Sequence, residues 1–269
     1  MRIDFDQLPL PVRAAVQAHT GAVRRARSAE AGTNSAIAAI LDTESAGRVF
    51  LKGVPERHDA VIGQQREARV SPYVEEISPR MLWAETVSGW DLVAFNVVEA
   101  ARHADYTPGS PDLPKLAAVL NTLAKTPCPP VPMMSAGRRW GGFLNDPDDV
   151  RLLAGPSLLH TDYHRGNVLI TADRAWLVDW ALATRGAAFI DLACLVPRMI
   201  AAGHSSNEAE AWASKHTTWQ DANPTAIDVF ARAIALLWRQ LADNDREATW
   251  RRPMVEAAAT WSRHRAAAS

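Results

Sequence analysis

The stretch His160-Thr161-Asp162-Tyr163-His164-Arg165-Gly166-Asn167 gathers imidazoles, a carboxylate and an amide within one short loop, and Asp179 follows it. An amide oxygen from Asn167 and a carboxylate from Asp179 suit a hard divalent cation such as Mg2+, which is commonly held by one or two carboxylates together with substrate phosphates. Asp162, five residues before Asn167, can face the same point without touching a metal. That is the position of a base that orients a hydroxyl nucleophile and takes its proton. His160, Asp162 and His164 alternate along the chain, a spacing that also fits a plain polar loop or, because His and Asp both ligate zinc, a metal-dependent hydrolase. No second His-rich stretch completes a three-ligand zinc set.

These groups need an element that brings them together. Val168-Leu-Ile170 and Ala175-Trp-Leu-Val178 are short apolar runs, and Thr171-Ala-Asp-Arg174 between them supplies turn residues. Together they predict a β-hairpin. Paired strands lie about 5 Å apart, so Asn167 before the first strand and Asp179 after the second come out side by side.

In protein kinases the catalytic loop reads His-Arg-Asp, four residues, Asn, and the metal-binding Asp opens Asp-Phe-Gly. Here the order is His160-Thr161-Asp162, four residues, Asn167, and then Asp179-Trp180. The stretch resembles the aminoglycoside phosphotransferase family of small-molecule kinases, whose loop has the form His-x-Asp-x-His-x-x-Asn and whose metal Asp precedes Trp. Asp191 in Ile190-Asp-Leu-Ala193 matches a further landmark of that family. The resemblance implies an α+β, two-lobed protein-kinase-like fold, with a small antiparallel β-rich lobe over residues 1–97 and a larger, mostly helical lobe over 98–269. It implies ATP or GTP with Mg2+, and transfer of the γ-phosphoryl group to a hydroxyl of a small molecule, with antibiotics among the candidate acceptors. Asp162 is then the catalytic base and Asn167 and Asp179 hold the metal. Asp191 braces the loop through backbone hydrogen bonds, His160 packs within it, and His164 lies nearer the acceptor. The alternatives are a nucleotide-binding pseudokinase or regulator, and the metal-dependent hydrolase.

Upstream, residues 11–19 have helical spacing and strand-like runs follow from Val23, over 36–41 and over 48–52. The turn from Ser28 to Ser35, with Gly32, either lets backbone N–H groups approach phosphate oxygens or is an ordinary hairpin turn. Lys52 ends the strand Val49-Phe-Leu-Lys52. In the kinase template a lysine on the third strand contacts the α and β phosphates and is held by a glutamate on the next helix. The helix predicted over 59–70 carries Glu67 on a polar-rich surface beside Gln64 and Arg66, with Glu75 and Glu76 as competitors. Runs 81–85 and 92–98 complete a sheet of about five strands. Residues 94–98, with Phe95 and Val98, take the place of the hinge where backbone groups read the base, so side chains there do not separate ATP from GTP. Many family members carry Gly-Arg after the hinge; this chain has Ala101-Arg102.

Across its 269 residues the chain is 48% hydrophobic and 22% charged, a globular composition. A net charge of -1 offers no general attraction to nucleic acid or anionic membrane. Cys128 and Cys194 have unrelated spacing, and Cys194 lies in an apolar run, so free thiols in a reducing compartment are expected. No apolar stretch approaches the roughly 18 residues of a membrane span. A cytosolic monomer or homodimer is the expectation. Residues 126–137 read as a loop joining helices, and Trp140-Gly-Gly-Phe-Leu is predicted to begin a new element. Helices are predicted over 209–215, 226–241 and 254–264. Trp212, Trp219, Trp238, Trp250 and Trp261 either stack on an acceptor or build the core and its rim. Glu208, Glu210, Asp221 and Asp228 either hold a cationic acceptor or lie on solvated helix faces, and Lys215, Arg232 and Arg239 nearly balance them.

Overall fold

In the computed structural model, which describes residues 2–29, 35–245 and 247–268, the first lobe begins with helix α1 (Leu10–Thr20), ended by Gly21 at φ 71°. Five strands follow: β1 (Val23–Ser28), β2 (Ile37–Thr43), β3 (Arg48–Pro55), then after helix α2 (Val61–Val70), β4 (Met81–Val87) and β5 (Trp90–Asn96). They form one antiparallel sheet in the order β1-β2-β3-β5-β4. Alternation along the pleat divides this sheet into two faces. Ile37, Ala39 and Leu41 of β2, Val49 and Leu51 of β3, and Leu92 and Ala94 of β5 pack with Val12 and Val16 of α1 in one apolar cluster. The register Ala38–Lys52–Val93 then puts Lys52 on the opposite face, in the middle of the sheet. Burying a Val or Leu fully is worth about 1.5–3 kcal/mol, so a one-residue slip that turned Lys52 into the cluster would forfeit several such terms.

The second lobe opens with β6 (Arg102–His103), α3 (Asp112–Leu123), β7 (Met134–Ser135), α4 (Ala136–Trp140) and α5 (Pro147–Arg151). Next come β8 (Ser157–Leu159), β9 (Val168–Ile170), β10 (Ala175–Leu177) and β11 (Thr184–Gly186). The chain closes with α6 (Ile190–Ala201), α7 (Ser206–Ala213), α8 (Thr217–Gln220), α9 (Pro224–Asn244) and α10 (Arg252–Ala268). Two three-stranded sheets, β10-β9-β6 and β7-β11-β8, carry the loops that matter for function. The larger apolar cluster runs from Val70 through α3, the hairpin, α6 and α9 to Trp261. Among the described residues no helix is long and apolar enough to cross a membrane. Both cysteines are free thiols, Cys194 buried and Cys128 half-buried.

The fold is the α+β kinase-like one expected, with local differences. Trp140 closes α4, which Ser135 caps by accepting from Arg138 N–H, and also stands at the N-cap of the 3-10 turn Gly141–Phe143 that begins there as expected; its indole is fully buried against Phe230. Strand β5 stops at Asn96, so Val98 lies beyond it; its N–H and C=O make no backbone hydrogen bond among the described residues. Phe95 sits inside β5 between β3 and β4. It therefore offers its ring, on the Lys52 face, and not free backbone. Ser35 is half-buried at the entry to β2 and Ser28 ends β1, while residues 30–34 of the proposed phosphate turn, Gly32 included, lie outside the described residues.

Candidate active site

The predicted hairpin forms. Val168 pairs with Leu177 and Ile170 with Ala175, and Val178 N–H donates to Asn167 C=O at 3.0 Å, which seats Asn167 beside the approach to Asp179. Asn167 Nδ2 donates to Asp162 Oδ2 at 2.9 Å and to Asp162 C=O at 3.2 Å. That fixes the Asp162 carboxylate and leaves the amide oxygen of Asn167 turned away from it. Asp179 adopts φ 65°, a left-handed backbone that aspartate tolerates better than most residues.

Lys52 crosses from the other lobe to meet it. Its Nζ lies 2.6 Å from Glu67 Oε2 and 3.3 Å from Asp179 Oδ1. Burial works against the ammonium, but the charges of Asp179 and Glu67 outweigh it and raise the Lys52 pKa. For Asp179 burial favours the neutral acid, and Lys52 reverses this and lowers its pKa. Glu67 also accepts from Trp180 N–H at 3.3 Å through Oε1, so one carboxylate ties α2 to both the lysine and the residue after Asp179. Glu67 is therefore not on a polar surface as its neighbours suggest; it is 2% exposed. Gln64, one turn earlier, is buried too and donates to Asp91 Oδ1 and C=O. The polar pattern of α2 is that of a helix whose polar face looks inward. Of the competitors, Glu75 pairs with Arg80 on the surface. Breaking a buried pair by removing one partner costs about 3–5 kcal/mol, and Lys52 keeps Asp179 when Glu67 is lost. Glu67→Ala is thus expected to lower unfolding free energy by less than that range, about 2–3 kcal/mol, read by urea denaturation.

The loop itself is held from behind. Asp191, in the first turn of α6, accepts from His160 N–H at 3.1 Å through Oδ2 and from Thr161 N–H at 2.8 Å through Oδ1. Thr161 stands at φ 66°, a strained state for a β-branched residue worth about 1–3 kcal/mol, which these bonds and the Thr161 Oγ1 bond to Leu182 C=O (2.9 Å) sustain. His160 is fully buried against Trp180 and Tyr163. Burial lowers its pKa, so the ring is neutral. Its Nε2–H donates to Val178 C=O (3.0 Å) and its Nδ1 accepts from Asp162 N–H (3.3 Å). Both ring nitrogens are thereby committed, which removes His160 from the zinc set of the hydrolase alternative. His164 Nδ1 accepts from Gly166 N–H at 3.2 Å and shapes the turn into Asn167.

Burial pushes the Asp191 carboxyl up to about 6 from its ordinary 3.8, against the two N–H bonds that favour the charge. The fold then prefers the protonated acid, and this residue's contribution to stability falls as pH rises from about 4 to about 6, by about 3 kcal/mol. Asp191→Asn has no such slope and offers one oxygen where two are needed. The stability advantage of wild type over Asp191→Asn is expected to be larger at pH 4 than at pH 6.5, measured by urea denaturation at both.

Residues 143–266 match the family model of the phosphotransferase enzyme family, a span that takes in the whole hairpin, Asp191 and the helices behind them. The similarity to that family thus lies in the second lobe. Among solved structures the chain is similar to the choline kinase LicA from Streptococcus pneumoniae, at 13% identity over 93% of this chain and 98% of that one, TM-score 0.64. LicA has also been solved with AMP. An aminoglycoside phosphotransferase from Alicyclobacillus acidocaldarius is 16% identical over 97% and 95% of the two chains, TM-score 0.62. The amicoumacin kinase hAmiN, solved with AMP-PNP, Ca2+ and Ami, is 12% identical over 94% and 91%, TM-score 0.57. At these identities the likeness is one of fold. No curated protein matches the sequence.

Three arginines that no sequence motif marks border the loop. Arg198 Nη2 lies 3.2 Å from Asp162 Oδ1 and its guanidinium stands over Trp238. A signal existed: Arg198 is two helical turns after Asp191, on the same face of α6. Arg66 and Arg139 donate to the carbonyls of Ala181 and Leu182. On the helical lobe the tryptophans divide. Trp219 and Trp261 are buried, Trp212 and Trp238 pack at the rim of the core, and Trp250 is exposed. The Ala101-Arg102 departure has a structural use, since Arg102 makes a two-pronged ion pair with Asp112 at 2.5 Å on each side.

Proposed function

We propose that this enzyme transfers the γ-phosphoryl group of ATP or GTP to a hydroxyl of a small molecule, with the nucleotide between the sheet of residues 1–97 and the helical part of 98–269. The observation that carries this is the different setting of two neighbouring carboxylates. Asp162 is held by Asn167 and Arg198 with its side chain 30% exposed. Asp179 is bound to Lys52 of the opposite lobe.

The donor set fits Mg2+. Asp179 is held in its charged form by Lys52, and Asn167 has an amide oxygen that no protein donor takes among the described residues. These are the hard oxygen ligands the ion requires. Bound there, it supplies neutralisation of the charge on the transferring phosphates. Lys52 binds the α and β phosphates, held in place by Glu67. The hydroxyl oxygen of the acceptor forms a bond to the γ-phosphorus while the bond from that phosphorus to the β–γ bridging oxygen breaks. The hydroxyl proton passes to Asp162 and the nucleoside diphosphate departs. Asn167 and Arg198 keep Asp162 aimed, and Asp191 holds the loop from behind, so positioning supplies much of the rate. Val98, with free backbone groups beyond β5, is placed to read the base, and Phe95 to face it; Ser35 stands at the phosphate turn. His164 borders the acceptor side.

The complexes of LicA with AMP and of hAmiN with AMP-PNP and Ca2+ support nucleotide use. Acceptors of such relatives include an aminoglycoside and amicoumacin, which keeps antibiotics in the panel. The test is a screen of antibiotics, amino alcohols, sugars and sugar acids with ATP and with GTP, read by diphosphate release and by the mass gain of one phosphoryl group. Product formation that depends on Asp162 supports the proposal. Nucleotide binding with no phosphorylated product from any acceptor contradicts it and favours the pseudokinase.

A further inference from the structure

The segment directly after Asp179 is gripped by two guanidiniums. Arg66, beside Glu67 on α2, donates from Nη1 to Ala181 C=O. Arg139 of α4 donates from Nη1 to Leu182 C=O at 2.9 Å, to Thr184 Oγ1 at 3.3 Å, and to Thr161 Oγ1. Both side chains are half-buried, and among the described residues neither has a carboxylate partner. Among the described residues their Nε and Nη2 groups have no protein acceptor, and they are not fully closed off from solvent. Burial lowers the pKa of both, with further repulsion from Arg69 on Arg66. A partly buried cation with no counter-charge in contact is destabilising; Asp162 and Asp191 act on Arg139 from beyond contact distance, and Thr161, adjoining Asp162, accepts from Arg139.

Most of the carboxylates that a polycation would need are occupied elsewhere; of Glu208, Glu210, Asp221 and Asp228, Asp221, exposed on the helical lobe, is the exception among the described residues. Glu208 caps α7 through Ser205. Glu210 accepts from Trp261 and Arg265, Asp228 accepts from Arg265, and Asp149 accepts from Arg232. Near the loop, Asp162 itself faces Arg198.

We infer that the acceptor phosphorylated at the Asp162 side carries a carboxylate or a phosphate monoester, and that Arg66 and Arg139 seat this anionic group through their remaining N–H groups. The inference rests on the phosphotransfer proposed above and makes its acceptor a hydroxy acid or a phosphorylated alcohol, not a polyamine sugar. A planar fork of donors suits either anion.

The test has a binding arm and a turnover arm. With the nucleotide site saturated by Mg2+ and AMP-PNP, inorganic phosphate is expected to raise the melting temperature of wild type by about 3 °C at concentrations well above its dissociation constant. The shift should vanish in Arg66→Met and in Arg139→Met and return in part in Arg139→Lys. No shift in wild type, or a full shift in both Met variants, overturns the inference whatever the turnover. In the second arm, matched acceptors are compared: gluconate with sorbitol, glycerol 3-phosphate with glycerol, and choline and kanamycin as cations. Arg66→Met is expected to raise KM for an anionic acceptor about 10–100-fold, the loss of a charge-assisted hydrogen bond, and to leave KM for its neutral counterpart unchanged. A preference for choline or kanamycin in wild type overturns the anionic acceptor and leaves phosphoryl transfer standing. No product from any acceptor, with the phosphate shift intact, contradicts the transfer and upholds the anion site.

Discussion

Asp162→Asn and Asp162→Ala are expected to lower kcat by about 10²–10⁴-fold, the usual contribution of a positioned base, while the affinity for Mg-nucleotide stays within about twofold of wild type. The split follows from what Asp162 touches. Its carboxylate meets Asn167 and Arg198 and makes no contact with Lys52, which meets Glu67 and Asp179 instead. On the proposed assignment, removing it leaves the nucleotide-facing set in place and takes away the group that would orient the hydroxyl. Arg198→Met is expected to move in the same direction with a smaller loss, because Asn167 still holds the second carboxylate oxygen. Steady-state kinetics alongside calorimetric titration of Mg·AMP-PNP separate the two quantities.

Asp179→Asn is expected to do the reverse at the binding step, weakening Mg-nucleotide affinity about 10–100-fold through loss of a charged partner worth about 1.5–3 kcal/mol. Two consequences reinforce each other. The carboxylate that matches a hard cation is gone, and Lys52 loses one of the two charges that raise its pKa. Lys52→Met is expected to weaken nucleotide binding as well. Because both residues meet in one ion pair, the double variant Lys52→Met/Asp179→Asn should fall short of the sum of the single losses by about 0.5–3 kcal/mol. Additive losses would separate the two residues functionally despite their contact.

The parts of this site that could be read from the sequence are those whose geometry is local. Val168–Ile170 and Ala175–Leu177 are joined by a four-residue turn, so Asn167 and Asp179 follow from strand pairing alone. Asp191 was legible as a landmark, and its two bonds to the backbone of His160 and Thr161 supply the brace. Lys52 could be placed because it ends a strand, and the register puts it at the sheet centre. Glu67 was chosen correctly as the partner of Lys52 and misplaced as to surroundings. A period of polar residues signals a solvated face unless the buried partners are known, and those partners are Lys52 and Trp180, the latter 113 residues away. Arg66, legible only as a neighbour of Glu67, and Arg139 were not marked as site residues for a related reason: they bind backbone carbonyls, which carry no residue identity, at separations of 115 and 43 residues, and Arg139 adds only two threonine hydroxyls. The acidic residues of the helical lobe were legible as helix charges, and the structure shows most of them engaged in capping and ion pairs.

The division of labour between the two aspartates can be read from one titration, with Mn2+ in place of Mg2+ and bound metal followed by electron paramagnetic resonance in the presence of AMP-PNP. Wild type and Asp162→Asn should show the same tightly bound metal–nucleotide complex with the same stoichiometry, and Asp179→Asn should show little or none at those concentrations. Loss of the bound signal in Asp162→Asn, or its retention in Asp179→Asn, would contradict the assignment of one carboxylate to the acceptor and the other to the metal.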